Sequence, residues 1–256
     1  MPNENIDMLI KRGSNTAKNG FKNEDDIVKK FNDWKKDLDA QSWLKIMKYH
    51  LNDIEKVEAV KITGSHKADI QVKIKIYLKN AVLAENISIK LVSNPQGFNQ
   101  IDKRKIDKYV ELWAMPKDIA DTLRLFTGEI SPTQSGLKDS RRMFLDEMDK
   151  KTQNKIIEFF RKNKIMVLMD ILKGRDKLAA SWMLIYQKRT NIWTLLPISV
   201  VINYYGSGKV YISSRGSLKI GKIGMQRKGG DSGRDSAKTL QFKMNPCDIA
   251  NNLNNG

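Results

Sequence analysis

Cysteine is almost missing from this chain: Cys247 is the one copy among 256 residues, so neither an internal disulfide nor a cysteine zinc cluster can be built. Histidine is nearly as scarce, and His50 and His66 alone are too few for a histidine-based metal site. No apolar run approaches the roughly 18 residues of a membrane span. The polar start, Met1-Pro2-Asn3-Glu4-Asn5, lacks the apolar stretch of a signal peptide. Together these absences predict a cytoplasmic protein. Acid is also in deficit, with 29 Asp and Glu against 46 Lys and Arg and a formal net charge of +17. Such a surplus favours a polyanion, DNA or RNA, or an acidic membrane surface, although charge by itself fits a merely soluble basic protein equally well. The length suits one large domain or two small ones, and with no visible linker a single domain over 1–256 is the simpler expectation.

The most patterned stretch runs from Asp69 to Leu91. The apolar residues Ile70, Val72, Ile74, Ile76 and Leu78 recur at every second position, with Gln71, Lys73, Lys75 and Lys79 mostly opposite, which predicts a half-buried strand. A polar turn follows. In the second strand Ile87, Ile89 and Leu91 share one face, so Ser88 and Lys90 point together to the other, and Asp69 reaches the same place if the hairpin twists normally. Phosphodiester hydrolysis by a metal needs a carboxylate for a hard divalent cation, an oxygen-rich second ligand, and a positive charge near the attacking water or the developing phosphorane. Asp69, Ser88 with the Ile89 carbonyl, and Lys90 could fill those three roles. His66 reads as an exposed turn residue, since such chemistry needs no histidine.

The spacing Asp69-x18-Ser88-x-Lys90 resembles that of the PD-(D/E)xK nucleases, in which an Asp is followed by a Glu, Gln or Asp two residues before a Lys. The run from Lys90-Leu91-Val92-Ser93-Asn94 to Gly97-Phe98-Asn99-Gln100-Ile101-Asp102-Lys103 looks like the monomeric type II restriction endonucleases that cut GCGC. The tail, Gln226-Arg227-Lys228-Gly229-Gly230-Asp231 to Leu240-Gln241-Phe242-Lys243, is similar to the same enzymes and, more distantly, to the MspI type. The resemblance runs from Thr16 to about Pro246. It implies an α/β fold with a PD-(D/E)xK restriction-endonuclease-like core, a mixed central sheet flanked by helices, and a C-terminal β-rich DNA-reading element. It also implies Mg²⁺ as cofactor, double-stranded DNA as substrate with GCGC as the site, a cognate DNA methyltransferase as functional rather than physical partner, and a monomer or weak dimer. Asp69, Ser88 and Ile89 would be the metal ligands, and Lys90 would orient the water. Ser88 departs from the pattern, because a serine hydroxyl is a shorter and neutral ligand that weakens the second metal contact or routes it through water. Glu85 and Glu24 are candidates for the missing negative charge, and Gly20-x3-Glu24 looks like the first-helix glutamate motif of related nucleases. The alternative from another class is a sequence-specific DNA-binding protein whose nuclease site has decayed at Ser88.

Elsewhere the spacing predicts a helix over Asn23 to Leu38, a second over Gln41 to Asn52, a strand over 57–62, and a helix from Ile101 to Trp113 with Lys103, Arg104, Lys105 and Lys108 outside. It further predicts strands at Ile165–Asp170 and Ala179–Gln187 and a helix opened by Pro197 and ended by Gly206. In the loop before Ile101, Phe98 could wedge between base steps while Asn99 or Gln100 meets base edges, or it could fold into the core as an anchor. From Lys209 to Lys243 nine Lys or Arg stand against two Asp. Gln226-Arg227-Lys228 and Gln241-Phe242-Lys243 repeat a Gln-x-Lys pattern across a glycine-rich turn containing Arg234, and alternation puts Gln and Lys of each trio on one face. A ribbon over about 209–246 could read guanines through Lys228, Lys243 and Arg227, or it could touch phosphates alone.

Overall fold

The structure, a computed structural model, describes residues 24–62, 71–187, 189–228 and 235–254. Asp69, His66 and Arg234 lie outside the described residues. In chain order the elements are α1 (residues 24–32), α2 (Leu38–Ile46), β1 (Ile54–Ile62), β2 (Gln71–Leu78), β3 (Ala81–Val92), β4 (Asn99–Arg104), α3 (Ile106–Trp113), α4 (Lys117–Thr127) and α5 (Lys150–Lys162). There follow α6 (Lys164–Leu168), β5 (Trp182–Gln187), β6 (Ile192–Pro197), α7 (Ile198–Gly206), β7 (Val210–Ile212), β8 (Leu218–Ile220), β9 (Ile223–Arg227), β10 (Leu240–Met244) and α8 (Cys247–Asn254). They divide into two compact units, one built from the chain up to 97 with 173–201 and 246 onward, the other from 98–172 and 202–245.

The first unit holds a mixed sheet in the order β1-β2-β3-β5-β6, in which β3 is central, antiparallel to β2 and parallel to β5. The alternation expected of the hairpin is what packs it: Val72, Ile74, Ile76 and Ile87 are fully buried, and they join Ile27, Phe31, Trp43 and Leu44 of α1 and α2 in one core. Each such side chain contributes about 1.5–3 kcal/mol by leaving water. The first helix is shorter than its apolar spacing predicts. Residues 33–36 form turns, and Asp37 caps α2, its carboxylate accepting from the Ala40 amide at 2.9 Å. Leu38 therefore opens the second helix and is 77% exposed rather than core, because an aspartate that satisfies free amides competes well with helix continuation. The second helix accordingly runs from Leu38 to Ile46 and not from Gln41 to Asn52.

The second unit holds an antiparallel sheet in the order β4-β10-β9-β8-β7. Its core joins Phe242 of β10 to Tyr109 and Trp113 of α3, with ring centroids 5.7 and 5.8 Å away, and Trp113 to Phe160 of α5 at 6.1 Å. Two expectations are corrected here. Residues Asn99–Arg104 form a strand and only Ile106–Trp113 a helix, since pairing with distant β10 overrides the local helical spacing. Ile165–Asp170 is helical, in α6 and the π-helical turn Met169–Lys173; a short apolar run does not by itself distinguish a strand from a buried helix.

Candidate active site and DNA-reading face

On β3 the side chains of Ser88 and Lys90 alternate with core residues Ile87 and Ile89, so both leave the helix-covered face together. Ser88 is 0% and Lys90 3% exposed. Ser88 pairs across the sheet with Gln71 of β2 on one side and Met183 of β5 on the other, and Lys90 pairs with Ile185. The Ser88 hydroxyl is buried and has no hydrogen-bond partner among the described residues. An unsatisfied buried hydroxyl costs about 1–3 kcal/mol, so this oxygen is held in place at a loss. Asp69 precedes Gln71 by two residues in the chain. Ile89 packs its side chain into the core, leaving its carbonyl as its one possible ligand.

Glu24 and Glu85 both have partners on the helix-covered side. Glu24, 6% exposed, is ion-paired with Lys61 at 3.3 Å. Lys61 pairs with Val72 while Ile62 pairs with Gln71, so alternation sends Lys61 to the helix-covered side and Gln71 with Ser88 to the other. Glu85 accepts from the Tyr49 hydroxyl at 2.9 Å and from the Trp182 indole at 3.1 Å. Burial first, and then the Glu85 carboxylate, push the Tyr49 phenol well above its usual range. Glu85 therefore ties α2's trailing loop to the sheet and supplies no charge beside Ser88. Among the described residues no group of three or more His, Cys, Asp or Glu stands together. The donors on the Ser88 face are hard oxygens, one of them unpartnered, and that set fits a hard divalent cation.

In the second unit, antiparallel register sorts the tail residues. Gln241 pairs with Gln226 on β9 and with Lys103 on β4, so Lys103, Gln241 and Gln226 form one row across three strands. Lys243 pairs with Gly224 and Gln100, and Gly224 with Lys219, forming a second row on the same face. Gln100 and Lys103 share this face only because β4 bulges at Ile101, between the pairs Phe242–Asp102 and Lys243–Gln100. Gly224 leaves a notch in the second row, where an added Cβ would stand 3.5 Å from the Lys219 ammonium. Lys228 continues the face beyond β9, its amide donating to the Thr239 carbonyl at 2.9 Å. Phe98 is 56% exposed rather than anchored in the core, and the Lys219 ammonium lies 5.5 Å from its ring centre. Lys219 escaped the sequence reading because only the strand register brings it there.

Other residues are placed away from this face. Asn99 pairs with Met244 on the buried side. Arg227 is 9% exposed, donates to the Ala237 carbonyl at 3.2 Å and lies 3.8 Å from Asp139, so its guanidinium is committed to the protein. Arg104 is ion-paired with Asp170 at 2.6 Å and Asp102 at 3.1 Å rather than turned outward. Gln241 itself is 3% exposed, between its two more open neighbours.

The family model of the R.HinP1I restriction endonuclease matches residues 47–250. The chain belongs to that family. The R.HinP1I family assignment makes it a type II site-specific deoxyribonuclease. Its structure is similar to that of the restriction endonuclease MspI, solved in complex with its cognate DNA, with a TM-score of 0.60 and 15% identity over 86% of this chain and 87% of that chain. This likeness shows the fold, and the expected α/β restriction-endonuclease architecture is borne out. No curated protein sequence matches the chain.

Proposed function

We propose that this restriction endonuclease hydrolyses double-stranded DNA at GCGC with Mg²⁺, using Asp69, Ser88, the Ile89 carbonyl and Lys90 at the active face. The observation that carries the proposal is the buried Ser88 hydroxyl, without a partner among the described residues, two residues before a buried lysine on the central strand. Asp69 and the Ser88 and Ile89 oxygens would hold the cation. When bound, Mg²⁺ polarises the scissile phosphate and strengthens water as a nucleophile. Lys90 donates to the attacking water or to the phosphate oxygens as negative charge builds there, and its burial strengthens that interaction by excluding solvent. Glu24 adds negative charge near the site without touching the metal. Base reading falls to Lys103, Gln226, Gln100, Lys243 and Lys228, with Phe98 as the wedge and Gln241 fixing its neighbours. Arg234 joins as a further DNA contact. The protein works in the cytoplasm as one restriction-endonuclease domain over 1–256, a monomer or weak dimer, beside a methyltransferase that protects the host's own sites.

The test is to incubate purified protein with methyl-free plasmid and Mg²⁺ and to sequence the fragment ends, with Asp69→Ala and Ser88→Gln alongside. Discrete ends at GCGC, lost in Asp69→Ala, are expected. Ends at another palindrome would refute the site, and salt-dependent binding without scission, regained as scission in Ser88→Gln, would mark position 88 as a decayed ligand.

A further inference from the structure

We infer that Gln71 supplies the side-chain oxygen that completes the metal site, from the strand beside Ser88. The inference rests on the reading of Asp69, Ser88 and Lys90 as a metal-dependent active site. The row through Ser88 consists of Ile62, Gln71, Ser88, Met183 and Leu196, and in it Gln71 alone adds a long side chain ending in an oxygen. Directly opposed residues of an antiparallel pair hold their Cβ atoms about 4.5–5.5 Å apart. Serine ends at the first atom beyond Cβ, whereas glutamine carries its carbonyl oxygen two carbons further, far enough to sweep the space above Ser88. Both side chains lie on the face that carries Lys90.

Burial separates this glutamine from an ordinary surface amide. Gln71 is 4% exposed, and a buried amide needs partners for its oxygen and its two N–H groups. The next row shows the structural alternative: Asn86, paired with Lys73, spends its amide nitrogen on the Lys177 carbonyl at 2.9 Å and the Ala179 carbonyl at 3.1 Å. Gln71 occupies the row one step nearer Lys90, beside a hydroxyl that has no partner among the described residues. Two neutral oxygens so placed, one from each strand, supply about a third of the roughly six-oxygen shell a hard divalent cation takes. A short ligand at position 88 is then tolerable because the reach comes from across the ladder.

The probe is Mn²⁺ titrated into the full chain, followed by the paramagnetic signal of the free ion, for the parent protein, Gln71→Met, Gln71→Glu and Asp69→Ala. Gln71→Met preserves length and packing but removes the oxygen, and should weaken Mn²⁺ about tenfold, the scale on which shell residues of metal sites act. Gln71→Glu keeps the oxygen, adds charge and should bind Mn²⁺ more tightly than the parent. DNA binding in chelator should stay within about twofold for Gln71→Met, which changes no charge and touches no phosphate contact. Mn²⁺ affinity unchanged in Gln71→Glu, or in a folded Gln71→Met, overturns the inference; if Gln71→Met does not fold, Gln71→Glu decides. Loss of Mn²⁺ binding in Asp69→Ala with both Gln71 variants unaffected sinks the role of Gln71 alone. Parent-level binding and scission in Asp69→Ala, or no Mn²⁺ binding by the parent, sinks the active-site reading with it.

Discussion

Asp102 and Ser88 are both fully buried polar residues on strands, and their surroundings treat them in opposite ways. Asp102 accepts from the Tyr109 hydroxyl at 2.6 Å and is ion-paired with Arg104, which also meets Asp170; Asp170 in turn accepts from the Trp113 indole at 2.9 Å. Each charge of that cluster is answered by a neighbour, the buried Asp102 Oδ1 by its ion pair with Arg104 at 3.1 Å rather than by a hydrogen bond, and the Arg104 guanidinium lies 5.4 Å from the Tyr109 ring centre. Burial raises the Tyr109 phenol first, and Asp102 raises it further, so it stays a hydrogen-bond donor at any ordinary pH. The Ser88 hydroxyl has no such partner among the described residues. A closed network fixes a fold; an open buried oxygen lowers stability and is useful only to something that arrives later.

The largest effect that could break this comparison is on stability. Arg104→Met leaves two buried carboxylates without their shared cation and should cost about 3–5 kcal/mol in denaturant unfolding. Ser88→Ala should do the reverse, leaving stability unchanged or raising it by up to about 1–3 kcal/mol, since the unsatisfied hydroxyl is removed. A Ser88→Ala loss as large as that of Arg104→Met would mean that the hydroxyl is structural after all. Lys90→Met comes next. It should slow scission by about 10²–10³-fold, as removal of one preorganised donor does, while DNA affinity in chelator holds. An equal fall in affinity would make Lys90 a phosphate anchor rather than part of the chemistry.

A second contrast lies within the second unit, between its buried cluster and the open row beside it. Lys103 and Asp102 are adjacent in the chain, yet one joins the row with Gln241 and Gln226 and the other the core. Gln226→Ala should therefore leave stability nearly untouched and relax discrimination at one base position by about 1–3 kcal/mol, read as cleavage of near-cognate sites. Uniform weakening on all sequences, with a lower salt slope, would instead assign the row to phosphates.

How much of this was open to sequence reasoning differs between the two units for a physical reason. The hairpin announces itself, because one buried face forces a period of two from Val72 to Ile76 and again from Ile87, and the same parity delivers Ser88 and Lys90 to one side. Gln71 carries that parity too, but its pairing with Ser88 needs the register, which the turn and the whole hydrophobic pattern set together. In the second unit the decisive event is nonlocal. Ile101–Arg104 has charge enough to pass as the start of a helix, and only β10, far along the chain, makes Asn99–Arg104 a strand. The bulge at Ile101 then places Gln100 and Lys103 on one face, which strict alternation forbids. Arg104 and Arg227 look like DNA contacts by charge, and it is the buried Asp170 and the Ala237 carbonyl that claim them. The α1 boundary was closer to legible, since Asp37 is a sound cap whose signal lost to the apolar spacing on either side.

The smallest effect comes from Lys243, on the same open face. Burial holds its ammonium below the usual lysine value of 10.5, and no acid is among the causes that act on it. The folded chain therefore binds fewer protons than the unfolded one as pH rises through the lowered value toward 10.5, so this group makes folding stability increase with pH in that window. DNA binding should move the other way. A phosphate or guanine beside Lys243 favours the charged form, so affinity is full while the lysine is protonated and falls as pH climbs through its lowered value. Lys243→Arg keeps the charge throughout that range and should flatten the fall. Titrating duplex affinity against pH at fixed salt for both proteins reads this directly. Parallel curves would place Lys243 out of reach of DNA, and the open face would then begin at Lys103 and Gln226.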